Sequence, residues 1–459
     1  MLQFDDTRQS ALIFLTFILF QILLIYGLIL KPTAIAVLTA AVLALFLAIA
    51  KIDRLFIAVI IALLVIPASG YNYPPFTFSI NLIPLYFALI SFVFFLFLNV
   101  LLKRKKFGKI RLAIPVGFFI LWILVCALVG LANGNSFPII KNDLLILCLF
   151  GLYFIIPTVV SSPKTFSRIL LIIVICSGVI AFEYFLVFLT TLQRGELIRL
   201  NPNQGIIYLF AIPLMIGMAI RARSKAARWL FVCLLALCFG AIGITLTRGL
   251  WISLIIASLI MAYLFRKEIN KKYVLGTVAF IFVAFIIVIF YFTQKTGLSI
   301  FTLVSIRASS LLSFTQDISL NQRLVHSQLV WKQILQSPLI GNGLGKQFSH
   351  SYFGTTLSFF WIDNSYLVLL WKLGIVGTLT FLGIVVKSLI ESIKIFKKTT
   401  KNDTKIYSGA MIAFLISWLL LATISPLMIK YFLNIFWITL IAMIDCVKNF
   451  GNENYDSDI

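Results

Sequence analysis

One polar stretch, residues 294–364, interrupts an otherwise near-continuous series of apolar segments, most of them long enough to cross a bilayer. That pattern constrains the fold class. A backbone in hydrocarbon must satisfy its own N–H and C=O groups, and a continuous apolar run does so as a helix. A transmembrane β-barrel is excluded, because its strands alternate apolar and polar residues and these runs do not. With 61% hydrophobic and 12% charged residues and a mean hydropathy of +1.08, the chain reads as all-α, a polytopic integral membrane protein. Windowed hydropathy gives about twelve to fourteen spans. The first four lie between residues 10 and 102, and the rest near 111–131, 143–160, 166–191, 204–221, 227–246, 249–265, 273–293, 364–392, 406–428 and 431–447.

Charge sets the expected orientation. The chain carries 38 Lys+Arg against 15 Asp+Glu, a formal net charge of +23. A nucleic-acid partner is not expected, because the cations sit mainly in short connections between spans. The connections after even-numbered spans, such as Lys103–Lys106 and Arg221–Arg228, hold about twice as many Lys+Arg as the others, which marks them as cytoplasmic. Both termini are then cytoplasmic and the polar stretch faces outward. The organisation follows as transmembrane helices with short loops over 1–293, a large extracytoplasmic loop carrying short helices over 294–363, transmembrane helices over 364–447 and a tail over 448–459. The acidic start MLQFDDTRQS, with no small-residue cleavage site after the first apolar run, reads as preceding a retained span. All six cysteines fall in apolar runs, which argues against disulfides or a metal site.

The outer face carries charge that the topology bias does not explain. LQRGELIRLNPNQG supplies Arg194, Arg199 and Asn203; TLTRGLW places Arg248 at a membrane boundary; the loop adds Arg323, His326, His350 and Asp363. An arginine at membrane depth is costly without a partner, and a diphosphate is one such partner, gripped bidentately at any pH. The competing account is interfacial snorkelling or an ion pair. Asp363-Asn364-Ser365 opens a span. Its carboxylate could serve as a general base, whereas local chemistry favours a helix N-cap. His326 and His350, the only two histidines, are acid–base candidates. Residues 321–336 read as a helix capped by Asn321, its apolar stripe of Leu324, Val325, Trp331, Ile334 and Leu335 lying against the membrane surface or the bundle top. Gly341-Asn342-Gly343-Leu344-Gly345 reads as a tight, flexible turn, more simply than as a phosphate-binding nest. Gly374 and Gly377 suit close helix packing, and Glu183 is an intramembrane carboxylate with no obvious partner.

Taken together, NPNQG, TRG, R-x7-W followed by SPLIGNGLG, and DNSYLVLLWKLGIVG resemble the O-antigen ligase and O-antigen polymerase family over about residues 195–390. Ligases of that family carry His followed by Asn, Ser or Gln, then nine residues and G-x-x-G. Asn364, Gly374 and Gly377 keep this spacing, but Asp363 stands where the histidine would be. The resemblance implies a membrane glycosyltransferase of the bacterial plasma membrane, with no cofactor and no metal. Its donor would be a glycan on undecaprenyl diphosphate in the membrane lipid, and envelope polysaccharide assembly proteins would be its partners. By position, Arg248 and Arg323 would hold the diphosphate and Asp363 would act as base or orienter. Arg194, Arg199, Asn203, His326 and Asn364 would contact substrate. The aspartate tilts the reading toward a polymerase joining repeat units, as in O-antigen, capsule, exopolysaccharide or teichuronic-type polymers, with a ligase acting on lipid A core as the alternative. A lipid-linked oligosaccharide flippase and a non-catalytic scaffold are the readings from other classes.

Overall fold

The computed structural model describes residues 111–160, 162–193, 204–245, 247–268, 318–352, 355–427 and 431–452. The first four expected spans and the one near 273–293 lie outside these residues. So do the start of the polar stretch and the tail from 453.

Among the described residues the architecture is all-α apart from one short hairpin. Helix α1 is Ala113–Ala132. Helices α2 (Phe137–Cys148) and α3 (Leu152–Val159) follow, joined by a single 3-10 turn. The span expected at 143–160 therefore starts six residues earlier, where Pro138 sits at the favoured first turn of α2. Helices α4 (Pro163–Gln193), α5 (Tyr208–Arg221), α6 (Lys225–Ile244) and α7 (Arg248–Leu264) complete the first group. After them come α8 (Ile318–Gln336), a hairpin of β1 (Phe348–Tyr352) and β2 (Thr355–Phe359), then α9 (Ser365–Lys398), α10 (Asn402–Leu421) and α11 (Tyr431–Asn452). Among the described residues, six helices are long and apolar enough to cross a membrane; Gly205–Arg221 and Arg248–Leu264 are apolar but shorter. Aromatic rings join α1, α9 and α11 through the bundle, with Phe119, Phe381 and Trp437 buried and in mutual or shared contact.

The basic connections gather at one end. There Arg221 makes a two-pronged ion pair with Glu268, which also takes Lys405, and Arg111 and Lys394 both reach Glu391. The hairpin lies at the other end.

The central feature is a break in α9. Gly374 has φ 67° and ψ −173°, outside the helical region. In lipid, a broken ladder must find new partners. The 338–342 segment supplies them: Ile375 N–H donates to Pro338 C=O (2.9 Å), Val376 N–H to Leu339 C=O (3.3 Å), and Asn342 N–H to Trp371 C=O (2.8 Å). From α1, the Trp122 indole donates to Leu373 C=O at 2.9 Å.

The following turn, 341–345, is therefore not the flexible surface loop expected from its glycines. All five residues are buried, and Leu344 N–H reaches Cys126 C=O, nearly two turns inside the end of α1. Gly343, at φ 81°, packs so closely that a Cβ would meet the Gly130 nitrogen at 2.3 Å. Asn133 and Asn135 donate to Asn342 C=O, and Asn135 also to Leu344 C=O.

A buried ion pair fastens the assembly. Lys372 Nζ lies 2.7 Å from Asp143 Oδ2, with side chains only 4% and 6% exposed. The same carboxylate oxygen accepts the Gly345 N–H at 2.9 Å. Removing one member strands a buried charge, at a cost of about 3–5 kcal/mol, whereas replacing both by apolar residues leaves none. Asp143→Leu or Lys372→Met alone is therefore expected to lower the unfolding temperature in detergent sharply, and the double variant to recover part of the loss. Additive losses in the double variant would show that the pair is not coupled.

Candidate functional site

Three elements bring the polar groups of the hairpin end together. Helix α8 turns its Val330 and Ile334 inward, where with Phe348, Ile362, Val368 and Trp371 they form a small core separate from the bundle's. The expected apolar stripe does not form the packing face. Of its members Ile334 is buried, but Leu324, Trp331 and Leu335 are about half or more exposed, on the side a membrane surface would cover. The helix begins at Ile318, so Asn321 lies within it and is not its cap.

The hairpin follows from a period-two alternation. In β1, Phe348 and His350 share one face and Ser349 and Ser351 the other; in β2, Phe359 and Leu357 oppose Phe348 and His350. On the far face Ser349 and Ser358 pair through their hydroxyls at 3.2 Å. The aromatic face covers α8 at His326. That ring lies 4.9 Å from Phe359, 5.1 Å from Phe348 and 5.5 Å from His350, centroid to centroid. The two histidines are thus neighbours, although 24 residues separate them in sequence. Burial, and then the neighbouring His350, push the pKa of His326 below the ordinary histidine value, against a smaller opposing pull from Asp363. Its imidazole is held neutral near pH 7.

One turn earlier on α8, Arg323 Nε donates to Asp363 Oδ2 at 2.8 Å. Both side chains are partly open to solvent, 39% and 28% exposed. The pair uses one of the five guanidinium donors and leaves the rest of the fork and a carboxylate oxygen for other partners. Asp363 is not the cap of α9. That role falls to Asn364, whose side chain accepts the Leu367 N–H at 3.0 Å.

Arg248 opens α7 at the same end of the bundle. The following Gly249 abuts Ile424, and the same short 422–427 loop holds Ser365: Ser365 N–H donates to Ala422 C=O, and its hydroxyl to Ser425 C=O. One loop thus ties the start of α7 to the start of α9. Arg194, Arg199 and Asn203 lie outside the described residues. Glu183 is half-buried in α4.

The Gly-rich turn does not form a phosphate nest, since the amides of Gly341, Asn342, Leu344 and Gly345 are all engaged. Gly377 packs against the Trp122 ring, as its spacing suggested, while Gly374 makes the break. Lys372 and Asp143 were not singled out in the sequence. The available signal was an ionisable residue inside an apolar run.

Fold and site define a polytopic membrane protein with an arginine–aspartate pair and two histidines gathered at one end of its helices. Residues 233–382 match the family model described as O-antigen ligase, which bears out the resemblance to the O-antigen ligase and polymerase family. No curated protein matches the chain. The matched segment contains Arg248, Arg323, His326, Asp363 and Asn364.

Two neighbouring substitutions separate the cap of α9 from the arginine–aspartate pair. Asn364→Ala is expected to lower stability by about 1 kcal/mol through loss of the α9 cap. Asp363→Asn leaves that cap in place and is expected to alter activity far more than unfolding temperature. A larger stability loss for Asp363→Asn than for Asn364→Ala would assign the carboxylate a structural role.

Proposed function

We propose that the chain transfers glycan units from an undecaprenyl-diphosphate carrier to an acceptor sugar hydroxyl at the outer face of the plasma membrane, as a polymerase-type member of its family. The observation that carries this reading is the Arg323–Asp363 pair beside a neutral His326, at the end of the bundle opposite the basic connections. If those connections are cytoplasmic, the site is external.

In the proposed reaction the acceptor oxygen bonds to the anomeric carbon as the bond from that carbon to the diphosphate oxygen breaks. The acceptor proton passes to a base, and the carrier leaves as a diphosphate. Charge grows on the leaving group, so pre-placed cations stabilise the transition state more than the ground state. Arg323 and Arg248 fill that role, with Arg194 and Arg199 as further contacts and Asn203 and Asn364 on the sugar side. Asp363 orients Arg323 and, with its second oxygen, the acceptor. His326, neutral at the working pH, is a competent proton acceptor one turn from the arginine. The aspartate at the position of the ligase histidine favours joining of repeat units over transfer to lipid A core.

Arg323→Ala and Arg248→Ala are expected to leave the protein inserted but to abolish surface polymer; wild-type polymer length in both strains would falsify the diphosphate clamp. Because protonation disables His326 as a base, activity is expected to rise with pH on an acid limb. That limb should lie below about 6.5, the ordinary histidine value, and disappear in His326→Gln. Ser351 is exposed on the hairpin beside the site. A cysteine placed there, in a background lacking Cys148 and Cys233, is expected to react with an impermeant maleimide added to intact cells. Reaction only after lysis would put the site in the cytosol, out of reach of a flipped donor.

A further inference from the structure

The end opposite the hairpin holds an open cavity of about 1620 Å³, larger than a typical small-molecule pocket of roughly 300–1,000 Å³. Seven Lys and Arg side chains line it against two carboxylates, Glu391 and Asp403. Glu391 is shared by Arg111, Lys394 and Lys448, and Asp403 accepts the Ser167 hydroxyl. Arg223, Lys398 and Lys401 make no ion pair among the described residues. Two helices, α4 and α10, begin at this cavity: Pro163 and Phe166 of the first and Asn402, Asp403 and Thr404 of the second line it. Their N-termini add positive potential to that of the side chains. The positive-inside bias accounts for cations in these connections. It does not account for their convergence on one concave surface.

One side of the wall is carbon, from Phe166, Leu171, Met218 and Phe231, beside polar Ser167, Thr399, Thr400 and Thr404. Leu171 also begins an exposed stripe on α4 that continues through Ile175, Val179 and Phe182, each 46–56% exposed. This spacing keeps the stripe on one face of the helix, so the cavity mouth leads onto an apolar track on the outside of the bundle. A soluble anion would use the cations and leave this track without purpose; an anionic lipid uses both.

We propose that this cavity binds the phosphate headgroup of an anionic phospholipid, with an acyl chain lying along the Leu171–Phe182 face of α4. Arg223, Lys398 and Lys401 supply the headgroup contacts. The site is independent of the glycan chemistry proposed for the other end. It would tie the arrangement of α4, α9 and α10 to the lipid composition of the leaflet.

The test reconstitutes the full chain into nanodiscs of phosphatidylglycerol and phosphatidylcholine and measures retained lipid by native mass spectrometry. Wild type is expected to retain phosphatidylglycerol selectively. At about 1 kcal/mol for each basic residue near an anionic lipid surface, R223Q/K398Q/K401Q should weaken that retention on the order of a hundredfold. The control K225Q/K267Q/K397Q removes equal charge from residues that do not line the cavity, and should stay near wild type. Equal loss in both triples, or no loss in the first, would overturn the site. Displacement of the lipid by millimolar inorganic phosphate would assign the cavity to a free anion instead. Should the first triple fail to insert, photoactivatable phosphatidylglycerol on the wild-type chain decides. Labelling of α4 and of residues 394–404 above a phosphatidylcholine probe supports the site, and labelling confined to the hairpin end refutes it.

Discussion

Every polar backbone group left open inside the bilayer must be closed by protein, and the break of α9 at Gly374 is where this chain meets that demand. A helix interrupted in hydrocarbon leaves N–H and C=O groups unpaired, each at a cost of about 1–3 kcal/mol when buried. The 338–345 segment closes several of them on one side, and Trp122 another. The reverse is also true, because the inserted segment carries its own backbone into the bundle and is satisfied by Cys126, Trp371, Asn133, Asn135 and Asp143. Neither the break nor the insertion is tenable without the other. Glycine is required where they meet: Gly341, Gly343, Gly345 and Gly374 all have positive φ, and their Cβ positions fall on neighbouring atoms.

This mutual closure positions the candidate site. Helix α8 runs directly into the inserted segment, and the hairpin runs out of it. With 341–345 fixed by Asp143 and Lys372, both elements are held over the first half of α9. Arg323 then meets Asp363, and His326 lies beneath Phe348 and Phe359. A buried salt bridge is poor evidence for net stability. Here it fixes register instead: the same Asp143 oxygen reads both α9 through Lys372 and the loop through Gly345.

How much of this could be read from the sequence depends on whether the signal is local. Continuous apolar runs located the helices, and their ends moved where capping and proline decide, as at Pro138. Helix α8 was legible from its pattern, and its stripe divides: Ile334 packs inward while Leu324, Trp331 and Leu335 stay exposed. The packing face uses Val330 and Ile334 together with polar residues such as Gln333, which accepts from the Trp371 indole. The hairpin was missed although FSHSY and TTLSF alternate, since five-residue strands are overshadowed by so many helices. The Asp143–Lys372 pair joins residues 229 apart, and no local pattern announces it. The glycine-rich turn was read as flexible because burial of such a turn depends on partners that only the folded bundle supplies.

The departure at position 363 becomes intelligible in the same terms. An aspartate bonded to Arg323 has one oxygen committed to holding the guanidinium in place, which suits an orienting group better than a proton acceptor. Proton acceptance calls for an unprotonated group, and the imidazole of His326 meets this near pH 7 because burial and a second histidine oppose its charging. Arg323 and His326 lie one turn apart on α8, so the proposed leaving-group cation and the proposed base ride on one rigid element. Substituting a carboxylate for an imidazole at the mouth of α9 therefore need not abolish base catalysis in the proposed reaction; it moves the imidazole from α9 to α8. In the proposed reaction the hairpin that withdraws His326 from water would be part of the chemistry, because burial is the first cause that holds the ring's pKa below the ordinary histidine value.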